Sequence, residues 1–152
     1  MLNVGDKAPD FRGVDQNGES IGFGDFAGRK LILYFYPKDN TSGCTAEACS
    51  IRDGYSELRR MGFEIVGVSP DSEKSHLRFI EKNQLPFRLI ADTGNVIASD
   101  YGVWGLKKFM GREYMGILRT TFVIDGNGCI EKIFRKVDTK RHFEQIVDSY
   151  RE

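Results

Sequence analysis

Apolar runs separated by polar turns predict alternating strands and helices over most of this chain. Runs rich in β-branched and aromatic residues predict strands, and segments with a period near 3.6 residues predict helices. The predicted strands cover 30–36, 63–69, 87–91, 119–125 and 129–136, and the predicted helices cover 43–61, 73–83, 96–102 and 139–150. Strands that alternate with helices form parallel neighbours with right-handed crossovers, so the pattern predicts the α/β class.

The two ends of the chain depart from this alternation. Residues 11–23 predict a short hairpin that turns at Asn17-Gly18, and the last two strands predict a second hairpin around Gly126–Gly128. The segment 103–118 contains three glycines and no clean period, so we expect a long structured loop there. An antiparallel hairpin that closes a parallel sheet indicates a thioredoxin-like fold with an N-terminal hairpin extension and a central mixed sheet flanked by helices.

The composition fits a single domain, residues 1–152, without a membrane segment. The longest apolar run, Leu31–Tyr36, is far shorter than the roughly 20 residues of a membrane span. The first residues lack the basic flank and apolar core of a signal peptide. Lys+Arg and Asp+Glu both number 22, so neither nucleic acid nor a membrane is an expected partner. Three cysteines are too few for a secreted disulfide scaffold, and we expect a reducing cytoplasm.

The position with the clearest chemical character is Cys44, at the start of the first long helix. A polar turn precedes it, directly after the buried run that ends at Tyr36. A helix N-terminus carries unpaired N–H groups and about half a positive charge, which favours an anion. A cysteine in that first turn is therefore biased toward the nucleophilic thiolate, and we predict thiol redox chemistry there.

A second cysteine, Cys49, follows on the same predicted helix. On a helical wheel Cys44 lies on the stripe that faces the sheet, whereas Cys49 is rotated by about 140°. In an intact helix their Cα atoms would be about 8.7 Å apart, and disulfides rarely span more than about 7 Å. A disulfide between Cys44 and Cys49 would therefore require the first turns of the helix to unwind.

Simpler explanations compete with this chemistry. Cysteine is often buried simply as a small apolar side chain. This interpretation stays open for Cys44 and Cys49 and is the preferred one for Cys129. A zinc site would have to combine the cysteines with a histidine, and these residues lack the usual ligand spacing. The sequence also contains no phosphate-binding or dinucleotide-binding motif. No metal or other cofactor is therefore expected. His76 and His142 are expected to be solvated on surface helices.

The residues around Cys44 resemble the active-site pattern of the peroxiredoxins, in particular the subfamily called bacterioferritin comigratory protein or peroxiredoxin Q. The family pattern is a proline, three residues, a threonine, two residues and a cysteine, which correspond to Pro37, Thr41 and Cys44. The subfamily has a second cysteine five residues later, at Cys49. The opening GDKAPDF, the segment YGVWGLKKFMGREYMGI and the strand RTTFVID extend the resemblance over nearly the whole chain. One departure is Ser42, where the subfamily usually has proline.

The resemblance implies a thiol-dependent peroxidase that reduces hydrogen peroxide and organic hydroperoxides. Cys44 would attack the hydroperoxide and become a sulfenic acid. Cys49 would convert that acid into an intramolecular disulfide, which thioredoxin would reduce, so the chain is expected to act as a monomer. Thr41 would hydrogen-bond the thiolate and orient the peroxide, Pro37 would shield the site, and Arg119 would stabilise the thiolate and the leaving oxygen.

Two other functions stay open at this point. A thiol–disulfide oxidoreductase of the thioredoxin type normally has two residues between its cysteines, whereas four separate Cys44 from Cys49. A redox-regulated binding protein could use an unwinding helix as a switch, although no apolar or charged patch in the sequence favours it.

Overall fold

The computed structural model describes residues 1–151, in which strands and helices alternate. The strands in chain order are β1 (Arg12–Val14), β2 (Ser20–Gly22), β3 (Lys30–Phe35), β4 (Phe63–Ser69), β5 (Arg88–Ala91), β6 (Trp104–Phe109), β7 (Arg112–Ile117), β8 (Thr120–Ile124) and β9 (Ile130–Phe134). The α-helices are α1 (Ser42–Asp53), α2 (Tyr55–Arg60), α3 (Glu73–Asn83), α4 (Val96–Asp100) and α5 (His142–Asp148). Within residues 1–151, none of these helices combines the length and apolarity that crossing a lipid bilayer requires.

A five-stranded mixed sheet lies at the centre, in the order β5-β4-β3-β8-β9. The strands β3, β4 and β5 run parallel, whereas β8 is antiparallel to β3 and β9 is antiparallel to β8. Helical segments connect the parallel strands and a short turn connects the last two, as their directions require. The predicted thioredoxin-like arrangement is therefore confirmed, and β1 and β2 form the predicted N-terminal hairpin.

The side chains of β3 alternate between the two hydrophobic cores, one on each face of the sheet. One core cluster contains Leu31, Leu33 and Phe35, and the other contains Ile32, Tyr34 and Tyr36 together with Cys44 and Ala48 of α1. Residues 31–36 are each no more than 2% exposed. This packing seats α1, and with it Cys44, directly on the central strand.

The single helix predicted over 43–61 is wrong, because the chain breaks at Gly54 into α1 and α2. A Cβ atom added to Gly54 would lie 2.0 Å from the ring of Phe143 in α5. Only glycine permits this close approach of α5 to the junction between α1 and α2. The two helices are therefore separate where the sequence predicted one. The last helix is also shorter than the predicted range of 139–150.

The loop predicted over 103–118 is wrong as well, because β6 and β7 form an antiparallel hairpin there. Met110 and Gly111 at its turn have φ angles of 50° and 78°. Two-residue hairpin turns of this kind require a positive φ at both positions. Most of the hairpin side chains are exposed, so its sequence lacks the apolar–polar alternation of a half-buried strand.

The two histidines are buried, so the expectation that they are solvated is wrong. His76 and His142 are both 0% exposed. Each ring uses both of its nitrogens in hydrogen bonds with neighbouring oxygens. These partners could not be predicted from the sequence, since all of them except Gln145 come from segments distant in the chain.

Candidate active site

The loop between β3 and α1 presents Cys44 in the first turn of a helix. Thr41 is the N-cap residue of α1, and Cys44 is the third helical residue. The Thr41 hydroxyl does not cap the helix and instead donates to the carbonyl oxygen of Lys38 at 2.8 Å. No side-chain cap therefore offsets the partial positive charge at the start of α1. Cys44 itself is only 1% exposed.

Arg119 is brought to this helix start by the pairing of β8 with β3. Thr120 lies opposite Phe35 in the sheet, so the residue before β8 lies beside the point where the active loop leaves β3. Arg119 Nη2 donates to Cys44 Sγ at 3.3 Å. A Cβ atom added to Gly43 would lie 3.4 Å from the same Nη2, so the guanidinium packs against the start of the helix. The predicted neighbours Cys44 and Arg119 are thus in direct contact.

Glu47 is a member of the site that the sequence analysis missed. Arg119 Nη1 donates to Glu47 Oε1 at 2.6 Å, and Glu47 is 0% exposed. Burial raises the pKa of Glu47 to about 7, against the lowering effect of Arg119. The signal available in the sequence was spacing, because Glu47 follows Cys44 by three residues and therefore lies on the same side of the helix.

His142 lies beneath Glu47 but does not satisfy its second oxygen. His142 Nδ1 lies 2.8 Å from Gln145 Oε1, and Nε2 lies 2.8 Å from Thr121 Oγ1. Because Gln145 donates through its Nε2 to Lys136, its Oε1 accepts, so Nδ1 of the histidine carries the proton and Nε2 accepts from Thr121. Glu47 Oε2 lies 3.7 Å from that nitrogen and has no hydrogen-bond partner within residues 1–151. Burial lowers the pKa of His142 to about 4, which keeps the ring neutral.

The other predicted residues lie around this centre at different places. Pro37 is half-buried just after β3, and Thr41 is exposed. Cys49 is half-buried on α1, with its Sγ 3.8 Å from Asn83 Oδ1 of α3. All three cysteines are free thiols. The fold therefore joins Cys44 with Arg119 and leaves Cys49 in separate surroundings.

A groove of about 570 Å³ has Arg119 as one of its lining residues. Its walls also include Lys107, Leu118, Arg135 and Val137. Leu118 is 38% exposed and gives the groove apolar surface directly before Arg119 in the chain. A molecule larger than water can therefore lie against the residue that contacts the Cys44 sulfur.

Comparison with known proteins gives a consistent picture. The model of the AhpC/TSA family matches residues 4–133. Peroxiredoxin Bcp of Bacillus subtilis is 43% identical over 151 residues, which cover 99% of this chain and 96% of the relative. Peroxiredoxin Bcp of Escherichia coli is 41% identical over 151 residues, which cover 99% of this chain and 97% of the relative.

The fold agrees with the sequence match. A solved structure of the bacterioferritin comigratory protein of Xanthomonas campestris superposes with a TM-score of 0.85 at 31% identity, covering 91% of this chain and 88% of the other. The buried cysteine at a helix start and the arginine on its sulfur both lie within the matched residues. The chain belongs to the AhpC/TSA family as a peroxiredoxin of the bacterioferritin comigratory protein (peroxiredoxin Q) group, and it is a thiol-dependent peroxidase.

Proposed function

We propose that Cys44 is the peroxidatic cysteine of this peroxidase, that Cys49 is its resolving cysteine, and that thioredoxin is its reductant. The observation that carries the proposal is the 3.3 Å contact between Arg119 Nη2 and Cys44 Sγ in the first turn of α1. A guanidinium and a helix N-terminus both favour the thiolate, which is the nucleophilic form of cysteine.

The first step transfers one oxygen atom to sulfur. The Cys44 thiolate attacks the terminal oxygen of the hydroperoxide, and the S–O bond forms as the O–O bond breaks. Sulfur is oxidised by two electrons to sulfenic acid, and the leaving oxygen takes up a proton as water or alcohol. The guanidinium beside the sulfur stabilises the thiolate, and negative charge then moves from sulfur to the leaving oxygen, where the same cation is proposed to stabilise the transition state. Arg119 is suited to this because Glu47 holds its other nitrogen at 2.6 Å.

Thr41 and Pro37 complete the proposed site from the loop side. The single hydroxyl proton of Thr41 is donated to Lys38. Its oxygen therefore keeps lone pairs that can accept a hydrogen bond from the peroxide O–H. This favours an orienting contact with the substrate over the donation to the thiolate expected from the sequence. Pro37, half-buried at the end of the central strand, is proposed to limit water access.

The second step forms a disulfide and requires a change of conformation. The Cys49 sulfur attacks the sulfenic sulfur of Cys44, so the S–S bond forms, the S–O bond breaks and water leaves. Both residues lie inside α1, where helical geometry separates their Cα atoms by about 8.7 Å. A disulfide needs less than about 7 Å, so the first turns of the helix must unwind. The contact between Cys49 and Asn83 must break at the same time.

Organic hydroperoxides are proposed as substrates beside hydrogen peroxide. The groove next to Arg119 offers the apolar surface of Leu118 to an alkyl group. The Xanthomonas campestris relative is described by its alkyl peroxide reduction activity, which supports the same substrate class for this chain.

The proposed cycle needs a dithiol protein and no other partner. An intramolecular disulfide requires no second subunit, so we propose that residues 1–152 act as one domain and as a monomer. Reduction by thioredoxin belongs in a reducing compartment, such as the cytoplasm. The balance of 22 basic and 22 acidic residues gives no reason to add nucleic acid or a membrane as a partner.

A coupled assay tests this proposal. The purified protein is mixed with thioredoxin, thioredoxin reductase, NADPH and either hydrogen peroxide or tert-butyl hydroperoxide. We expect NADPH loss that requires both the peroxide and thioredoxin, and complete loss of turnover in Cys44→Ser, because a hydroxyl cannot replace the thiolate as nucleophile. Full turnover in Cys44→Ser would show that another group attacks the peroxide.

A further inference from the structure

A second buried polar network lies on the loop side of Cys44, and the proposed mechanism does not use it. Its centre is Asp39, which is 5% exposed although carboxylates are rarely buried unless they are paired. The Tyr36 hydroxyl donates to Asp39 Oδ1 at 2.6 Å, and the Ser75 hydroxyl donates to Oδ2 at 2.8 Å. His76 Nδ1 lies 2.7 Å from the same Oδ2. The carboxylate therefore has a partner on each oxygen.

His76 links this carboxylate to the central sheet. Its Nε2 lies 2.9 Å from the carbonyl oxygen of Ile90 in β5. A carbonyl oxygen only accepts, so Nε2 carries a proton, and Nδ1 also faces an acceptor, the carboxylate of Asp39. Both ring nitrogens of His76 therefore lie within hydrogen-bond distance of an oxygen, one from the loop and one from the sheet. The two side chains are 0% and 1% exposed, so water does not weaken the pair.

The backbone of Asp39 is fixed as well. Its N–H donates to Asp71 Oδ2 at 2.8 Å, and the Ser69 hydroxyl donates to the same oxygen at 2.7 Å. Asp39, Asp71 and His76 have ligand-type atoms within 4.8 Å of one another. Those atoms are already bonded within the network, which makes it a closed hydrogen-bonded anchor and not an open ligand set.

The loop that this anchor holds has few constraints of its own. Residues 38–43 contain no proline, so their backbone depends on contacts. Asn40 has a φ of 64°, the left-handed conformation, directly after the anchored residue. Thr41 follows Asn40, and Cys44 lies five residues after Asp39. The position of the thiol therefore depends on where Asp39 is held.

We propose that His76 is a positioning residue for the oxidation of Cys44 and acts through Asp39. The pair fixes the loop against α3 and β5, so Thr41 and Cys44 are held where a peroxide can react. The same anchor gives the unwinding of α1 a fixed starting point before Asn40. The proposal rests on the proposed function in one respect, that Cys44 is the cysteine that attacks the peroxide.

The test measures how fast hydrogen peroxide oxidises Cys44 in a single turnover. Every variant carries Cys49→Ser, so that the sulfenic acid accumulates and is quantified by trapping with dimedone. The test variants are His76→Gln and Ser75→Ala. The matched control is Ser72→Ala, because Ser72 caps the same helix by accepting from the N–H of Ser75 at 3.1 Å and is exposed.

We expect His76→Gln to slow oxidation by about thirtyfold and Ser75→Ala by about threefold, since small misplacements of reacting groups have effects of this order. Ser72→Ala should lower the Tm through the lost cap and leave the rate unchanged. Amide exchange at 38–45 in the reduced protein should accelerate in His76→Gln, while β3 and β8 stay protected.

Wild-type rates in both test variants would overturn the proposal, and so would a control as slow as Ser75→Ala. If His76→Gln does not fold, the comparison of Ser75→Ala with Ser72→Ala decides. Failure of the proposed function has a different signature. In that case the Cys49→Ser protein with an intact anchor would yield no sulfenic acid at Cys44.

Discussion

Cys44 and Cys49 lie on one helix, five residues apart, in different surroundings. Cys44 is 1% exposed at the helix start, and a guanidinium nitrogen of Arg119 lies 3.3 Å from its sulfur. Cys49 is half-buried two turns into the helix, and its sulfur has a long contact of 3.8 Å with the amide oxygen of Asn83. Under the proposed mechanism, this difference separates the cysteine that attacks the peroxide from one that reacts only after the helix has changed shape.

The largest effect should follow from removing the second thiol. In Cys49→Ser the sulfenic acid at Cys44 should persist, trap with dimedone and proceed to sulfinic acid under excess peroxide. Turnover with thioredoxin should then largely fail, as measured by NADPH loss. Cys129→Ser is the matched control, because Cys129 is half-buried in a bridge with Lys7 and has no proposed part in the cycle. A Cys44–Cys129 disulfide in the oxidised protein would show that Cys49 is not the resolving residue.

Removing the guanidinium of Arg119 should abolish what distinguishes Cys44 from Cys49. Arg119→Ala should lower the rate constant for Cys44 oxidation by at least about a hundredfold, the usual scale for one lost charge-stabilising donor. The exposed Arg112→Ala, a change of the same size on the β6–β7 hairpin, should leave it unchanged. Stopped-flow oxidation of the reduced proteins measures both. Equal rates in Arg119→Ala and the wild type would remove Arg119 from the site.

A smaller effect is expected on the pH dependence of stability, which reports on the buried residues Glu47 and His142 near Cys44. Burial raises the pKa of Glu47 from 4.5 to about 7, so its contribution to stability is present at low pH and is lost as pH rises toward 7. Burial lowers the pKa of His142 from 6.5 to about 4, so its contribution is present above pH 6.5 and is lost as pH falls toward 4. The two dependences oppose each other between about pH 4.5 and 6.5.

Glu47→Gln removes one of these opposing terms. The variant should therefore lose stability on acidification from pH 6.5 to 4.5 more steeply than the wild type, as measured by urea unfolding. Glu57→Gln, at a solvent-exposed glutamate on α2, should follow the wild-type profile. A Glu47→Gln profile parallel to that of the wild type would mean that Glu47 is ionised across this range.

The sequence was sufficient for the parts of the site that depend on local order. Cys44 follows a buried strand and a polar turn, and a helix begins beside it, so its surroundings could be predicted from neighbours in the chain. Arg119 was assigned through the family resemblance, and the pairing of β3 with β8 brings it to the sulfur. The mixed sheet followed from the alternation of strands and helices.

The parts that could not be predicted depend on tertiary contacts. Glu47 was not identified from the sequence, although its position on the same side of the helix as Cys44 was a usable signal. The burial of His76 and His142 depends on oxygens from distant segments, Ile90 and Thr121 among them. The β6–β7 hairpin was not predicted because its side chains are mostly exposed, so apolar and polar residues do not alternate along its strands.

The central claim is that oxidation joins the two unlike cysteines of α1 by unwinding the helix. Its most direct test is amide hydrogen exchange with disulfide mapping, before and after one equivalent of hydrogen peroxide. We expect a Cys44–Cys49 disulfide, a mass loss of two hydrogens and faster exchange over 41–52, while β8 and β9 stay protected. No loss of two hydrogens, or full exchange protection of α1 in the oxidised protein, would contradict the two-cysteine mechanism and leave Cys44 acting alone.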